Sequence, residues 1–202
     1  MRQTPPESGA SIHTARGITT TALLGAIAAI LIFLNFPLPI FPAFIKMDVS
    51  DAPALIAAFA MGPAAGVAVE LIKNAVNLTH TSTGGVGELA NFSIGAAFVV
   101  PAGLLYKRRK DIRRAVTALI VGTLTMTVVA AFANYFVLIP LYSNFVPMET
   151  IVGMYRAIIP YADTLPKIIL MSVVPFNLLK GLIVSLVTFA LYKKLSPVIK
   201  GL

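Results

Sequence analysis

Asn177 and Lys180 stand three residues apart within an apolar segment, residues 164 to 192, that is long enough to cross a bilayer. On a helix such a pair shares one face. Counting back roughly 20 residues from Lys193 and Lys194 puts both one to two turns below the far membrane boundary. An amide beside an ammonium at that depth can grip a polar ligand. The competing reading is a lysine that snorkels to the interface, and its depth and the neighbouring Asn argue against it. Pro175 has no N–H, which frees the Met171 carbonyl as a further acceptor. Asn134, in the apolar run 115 to 141, lies at a comparable depth, as a third ligand group or as a bond between helices.

The other chemistry-bearing residues gather between Lys46 and Phe92, which hold Asp48, Asp51, Glu70 and Glu88 among segments of membrane hydropathy. Ionisable groups at membrane depth cost several kcal/mol each and face a protein interior, where they serve function or packing. Glu70, Lys73, Asn74 and Asn77 make one polar stripe on an otherwise apolar helix. Glu70 with Lys73 reads as a self-neutralising buried pair before it reads as a proton relay. The run Thr83-Gly84-Gly85-Val86-Gly87-Glu88 fits a dinucleotide pattern only in letters, because a helix and not a strand precedes it and no P-loop lysine follows. A backbone that closes over a ligand and a plain turn leading into a helix are both consistent with it. His13 and His80 are isolated, so no metal site is indicated.

These groups need helices around them. The chain has 202 residues, 57% of them hydrophobic and 12% charged, which defines an integral membrane protein. Spans of helical length recur, and the alternation of a membrane barrel is missing. Cysteine is absent, which excludes disulfides. The net charge of +8 is not spread as for nucleic acid. It concentrates at Arg2 and Arg16, at Lys107, Arg108, Arg109, Lys110, Arg113 and Arg114, and at Lys193, Lys194 and Lys200, where a membrane protein keeps its cytoplasmic charge and attracts anionic lipid.

The expected architecture is all-α, with six transmembrane helices and both termini cytoplasmic. Residues 1 to 16 form a flexible cytoplasmic arm, 17 to 195 the membrane domain and 196 to 202 a cytoplasmic tail. The first span, 17 to 36, lacks a cleavage site and ends at Pro37, Pro39 and Pro42, in an apolar loop that must pack. Asp51 or Ser50 caps a short helix to Met61, and Gly62-Pro63 turns the chain into a second helix to Leu78. Spans from 88 to 106, 115 to 141 and 164 to 192 follow. A polar connection, 142 to 163, holds a short helix. Ala22 and Ala26, with Gly25 and Ala29 alongside, form a small-residue stripe suited to internal packing or to an external partner helix.

Taken together, residues 46 to 74, 83 to 92, the pair Asn134-Tyr135 and Asn177-x-x-Lys180 resemble the substrate-binding S components of energy-coupling factor (ECF) vitamin transporters, and among them the riboflavin-specific group. The resemblance covers residues 17 to 195. It implies a vitamin-capture subunit without catalysis or an intrinsic cofactor, binding riboflavin near the outer face. A transmembrane coupling (T) component and two ATPase (A) subunits, which use ATP, would be its partners. It implies a substrate site of Phe41, Phe44, Lys46, Met47, Asp48, Gly84, Gly85, Glu88, Asn91, Asn134, Tyr135, Asn177 and Lys180. Ala22 and Ala26 would face the coupling subunit. An S component for thiamine or pantothenate, or a small intramembrane enzyme using Glu70, Lys73 and Glu88, are the alternatives.

Overall fold

The computed structural model describes residues 12, 14–42, 44–81, 83–108 and 110–201. The N-terminal arm (apart from Ile12 and Thr14–Arg16), His13, Arg109 and the side chains of the C-terminal tail lie outside the described residues.

Helix α1 (Ala15–Phe33) starts where Thr14 accepts a hydrogen bond from the Gly17 N–H at 3.0 Å. It stops before the three prolines. The chain then forms a minimal antiparallel hairpin, β1 (Phe36–Pro37) against β2 (Lys46–Met47), with Phe36 opposite Met47. Helix α2 (Asp51–Met61) is buried along almost its whole length. Ser50 occupies the N-cap position, but its side chain makes no cap bond, and Asp51 is the first helical residue, committed to lysines from other helices.

Gly62 joins α2 to α3 (Pro63–Asn77) at φ +101° and ψ 169°, a conformation open essentially to glycine alone. The tight turn read from Gly62-Pro63 is therefore present. Gly66 then lets three helices meet, since a Cβ there would lie 2.3 Å from Val99 Cγ1 and 2.7 Å from the Ala54 carbonyl. Helix α4 (Val86–Arg108) precedes the basic turn, and Asp111 caps α5 (Ile112–Tyr142) by accepting from the Arg114 N–H at 2.7 Å. The short amphipathic helix α6 (Met148–Arg156) crosses the connection, and α7 (Leu165–Tyr192) completes the bundle.

Four helices, α1, α4, α5 and α7, are long and apolar enough to cross a membrane. By contrast α2 and α3 have 11 and 15 residues, below the usual span length. The main core joins α1 to α5 and α7 through residues such as Leu55, Phe98 and Val184. At the basic end it finishes in Phe59 stacked on Tyr106, centroids 4.4 Å apart, with Tyr192 edge-on to both. The hairpin, the start of α4 and the α6 connection lie at the opposite end.

Both long helices that bound this opposite end carry one π turn, Asn134–Leu138 in α5 and Ile169–Val173 in α7. In each, the residue before a proline donates five residues back, Ile139 to the Asn134 carbonyl and Val174 to that of Ile169. Pro140 and Pro175 have no N–H, so widening the preceding turn re-pairs the ladder around them.

Candidate ligand-binding site

Between the hairpin, α4, α5, α6 and α7 lies a cavity of about 550 Å³. Its walls are mainly apolar, from Phe44, Ile94, Ile139, Tyr142, Tyr155 and Phe176. Phe44 meets Tyr155 edge-on at 5.3 Å. Burial pushes the Tyr155 phenol up to about 12, so it remains a neutral donor across the physiological range.

Three amides, Asn91, Asn134 and Asn177, line the cavity together with Lys180. Asn134 and Asn177 each donate Nδ2 to the carbonyl four residues back, Ala130 and Val173, at 2.8 Å. That bond fixes the rotamer and leaves Oδ1 without a partner among the described residues. Asn91 Oδ1 is buried and likewise unpartnered. A ligand donor entering the cavity would pair with the open Asn134 and Asn177 oxygens, whereas Asn91 Oδ1 has no surface exposed to it.

Lys180 sits between two carboxylates, 3.1 Å from Asp48 Oδ2 and 3.2 Å from Asp51 Oδ2. Asp48 Oδ1 is held by the Ser50 N–H at 2.9 Å and by the Ser50 hydroxyl. Asp51 Oδ1 accepts from Lys73 at 2.5 Å, and Lys73 lies 2.7 Å from Glu70. An ammonium has three N–H groups. With two directed at carboxylates and no other partner among the described residues, the third is left for the cavity.

Of the residues expected in the site, Phe44, Lys46, Asp48, Asn91, Asn134, Asn177 and Lys180 line one cavity. The others do not reach the lining. Met47 is fully buried against Phe41 and Phe176, because successive strand residues point to opposite faces and its neighbours Lys46 and Asp48 face the cavity. Phe41 stands behind the wall, edge-on to Phe176 at 5.3 Å. Tyr135 is turned away from Asn134 by the helical step and packs on Phe136 on the outer face. Gly84 and Gly85 form a turn at φ +63° and +93°, flanked by Thr83 and Gly87, which do line the cavity.

Glu88 works from behind. Its Oε2 accepts from the Thr81 and Thr83 hydroxyls at 2.9 and 3.0 Å, and its Oε1 accepts from Asn77 at 3.3 Å. The carboxylate thus ties the glycine-rich loop to α3.

Asp51, Tyr142 and Tyr155 were missed as lining residues. The acid-base balance of the buried segments held a signal for Asp51, since a lysine at the depth of Lys180 needs a carboxylate. On α1 the small residues divide. Gly25 packs on Ile72, where a Cβ would come within 2.8 Å, whereas Ala22 and Ala26 lie on the exposed face with Leu23 and Ile27.

A helical membrane bundle closed around a ligand-sized, largely apolar cavity with a few converging polar groups defines a membrane-embedded binding protein. Among the described residues no cluster of His, Asp and Glu could hold a metal ion. The family model for the ECF transporter substrate-specific component matches residues 16–192, and the chain belongs to that family. Its role is therefore in transport and not catalysis, and it is a multi-pass membrane protein.

The riboflavin transporter RibU of Staphylococcus aureus (strain TCH60) is 38% identical over 183 residues, covering 91% of this chain and 92% of that protein. The riboflavin transporter FmnP of Bacillus subtilis (strain 168) is 33% identical, over 89% and 92%. A solved structure described as the S component of a bacterial ECF transporter is similar with a TM-score of 0.71 and 37% identity, covering 91% of this chain and 96% of that one.

Proposed function

We propose that this chain is the riboflavin-capture subunit of an ECF importer, taking the vitamin at the outer face of the membrane and delivering it inward when coupled to an ATPase module. The observation that carries the reading is the convergence of Asn91, Asn134, Asn177 and Lys180 on an otherwise apolar cavity of about 550 Å³. Relatives that cover most of the chain are riboflavin transporters. The isoalloxazine ring is flat, with an apolar edge and a polar edge of carbonyls and one N–H, and the ribityl chain carries four hydroxyls. Phe44, Tyr142, Tyr155 and Phe176 supply the ring faces that a chain without Trp must find elsewhere. The amides, Lys180 and Asp48 meet the polar edge and the hydroxyls, none of which can be buried unpaired without loss of affinity.

In this reading the basic turn 107 to 114 is cytoplasmic, which places the cavity end outside. The chain then makes six crossings with both termini inside, and the apolar hairpin fills the depth that the short α2 leaves. Residues 17 to 195 act as one binding domain between a cytoplasmic arm, 1 to 16, and tail, 196 to 202. Phe41 and Met47 back the ring wall, and Gly84, Gly85 and Glu88 shape the loop at the cavity edge. Ala22 and Ala26 meet the T component, which with two ATP-hydrolysing A subunits drives release.

The test is the visible absorption spectrum of the protein purified in detergent. A flavin spectrum that survives washing is expected. If the preparation is colourless, and added riboflavin neither binds nor raises the melting temperature, the reading fails and other vitamins take its place.

A further inference from the structure

Five titratable side chains, acidic and basic in alternation, run inward from the cavity: Asp48, Lys180, Asp51, Lys73 and Glu70. They come from the segment after β2, from α7, α2 and twice from α3. The first three line the cavity, while Lys73 and Glu70 do not touch it and are wholly buried. We propose that Lys73 and Glu70 are positioning residues for the vitamin site, acting through Asp51 to aim Lys180 at the ligand. This inference rests on the riboflavin reading of the cavity.

The geometry leaves Asp51 as the connecting link. Its Oδ1 accepts from Lys73 at 2.5 Å and its Oδ2 lies 3.2 Å from Lys180, so the two lysines hold the carboxylate plane from both sides. Among the described residues Asp51 has no other side-chain partner. With Lys73 gone, its carboxylate is free to turn and take a second N–H of Lys180. The N–H directed into the cavity would then be lost to the ligand.

Lys73 is itself held by Glu70 at 2.7 Å, and the Glu70 carboxyl has no other side-chain partner among the described residues. What confines Glu70 is the backbone of α4 at Gly95, where an added Cβ would lie 2.3 Å from Oε2. Gly95 also lines the cavity. The chain of charges therefore ends one backbone away from the space it serves.

The test is a double-mutant cycle on riboflavin binding, read by quenching of flavin fluorescence in detergent, with Lys73→Met, Lys180→Met and the double variant. Lys73→Met is expected to weaken binding about tenfold or more in the unsubstituted background and less than about twofold in the Lys180→Met background, the mark of two residues acting as a unit. Lys73→Arg, which keeps the charge, is expected to recover most of the loss. Equal losses in both backgrounds, or unchanged binding in Lys73→Met, would overturn the inference.

If Lys73→Met does not fold, Glu70→Ala, which removes the 2.7 Å contact to Lys73, replaces it in the same cycle, with the same dependence on Lys180 expected and its absence equally fatal. Failure of the unsubstituted protein to bind riboflavin overturns the functional reading and this inference with it. A protein that binds normally yet shows no coupling overturns the inference alone.

Discussion

Asn134 and Asn177 make the same bond on two different helices: each amide donates to the carbonyl four residues back at 2.8 Å, next to a π turn that ends just before a proline. The shared device widens both helices at one level and presents an open amide oxygen to one cavity. Replacing either Asn by Ala removes a ligand bond without touching the core. Riboflavin affinity should fall by about 1–3 kcal/mol for each, roughly 5- to 150-fold. Titration by flavin fluorescence checks this, with the melting temperature of the unliganded variants expected to stay near the parent value.

Lys180→Met should lower affinity further than either Asn variant, because hydrogen bonds to charged groups contribute about 1.5–3 kcal/mol. It also leaves Asp48 and Asp51 facing each other across the vacated position without their shared cation. Breaking a buried ion pair costs about 3–5 kcal/mol, so this variant should also melt lower. Asp51→Asn with Lys180→Met removes one of those stranded charges, and the melting temperature should recover in part. A double variant that melts lower than the single would contradict the charge arrangement.

Much of this was legible in the residues. The face shared by Asn177 and Lys180 follows from spacing alone, and so does the break at Gly62-Pro63 that turns α2 into α3. Spacing could not tell that Asp51 is a partner of two lysines, because an Asp at the start of a helix with Pro53 just inside looks like a cap. The pairing exists only because α3 and α7 both approach α2. Tyr142 and Tyr155 escaped for a related reason: the connection 142 to 163 reads as polar surface until α6 folds back over the cavity. Tyr135, beside Asn134 in sequence, lies outside the lining because neighbouring helical residues point about 100° apart.

Glu88→Gln and Glu88→Ala should differ. The carboxylate accepts from Thr81, Thr83 and Asn77 and so holds the loop that brings Thr83 and Gly87 to the cavity. Gln keeps an acceptor oxygen and should retain most of the binding, whereas Ala releases the loop. The expected result for Ala is faster riboflavin dissociation, measured by stopped-flow, with a smaller change in the association rate. Equal dissociation rates for Gln and Ala would show that the loop is not held by this side chain.

Gly66→Ala and Gly25→Ala test the packing of α2 and α3. At Gly66 the new Cβ meets the Ala54 carbonyl at 2.7 Å, a backbone atom that cannot swing aside. At Gly25 it meets Ile72 Cδ1 and Cγ2 at 2.8 Å and Cβ at 3.0 Å, side-chain atoms that a small shift of α1 against α3 can relieve in part. Gly66→Ala should therefore cost about 1–3 kcal/mol and lower the melting temperature by several degrees, and Gly25→Ala should cost less. The reverse order would place the tight approach between α1 and α3 instead.

Ala22→Leu and Ala26→Leu address the outer face of α1. Both positions are exposed, on the side of the helix away from Gly25 and Ala29. Both side chains are exposed among the described residues, so folding and riboflavin binding in detergent should match the parent protein. A partner helix that approaches across small residues would be pushed back by the added bulk. Uptake of riboflavin in cells that also express the T component and the two ATPase subunits should fall sharply, and the variants should no longer co-purify with that module. Normal uptake with either variant would move the coupling surface to another face of the bundle.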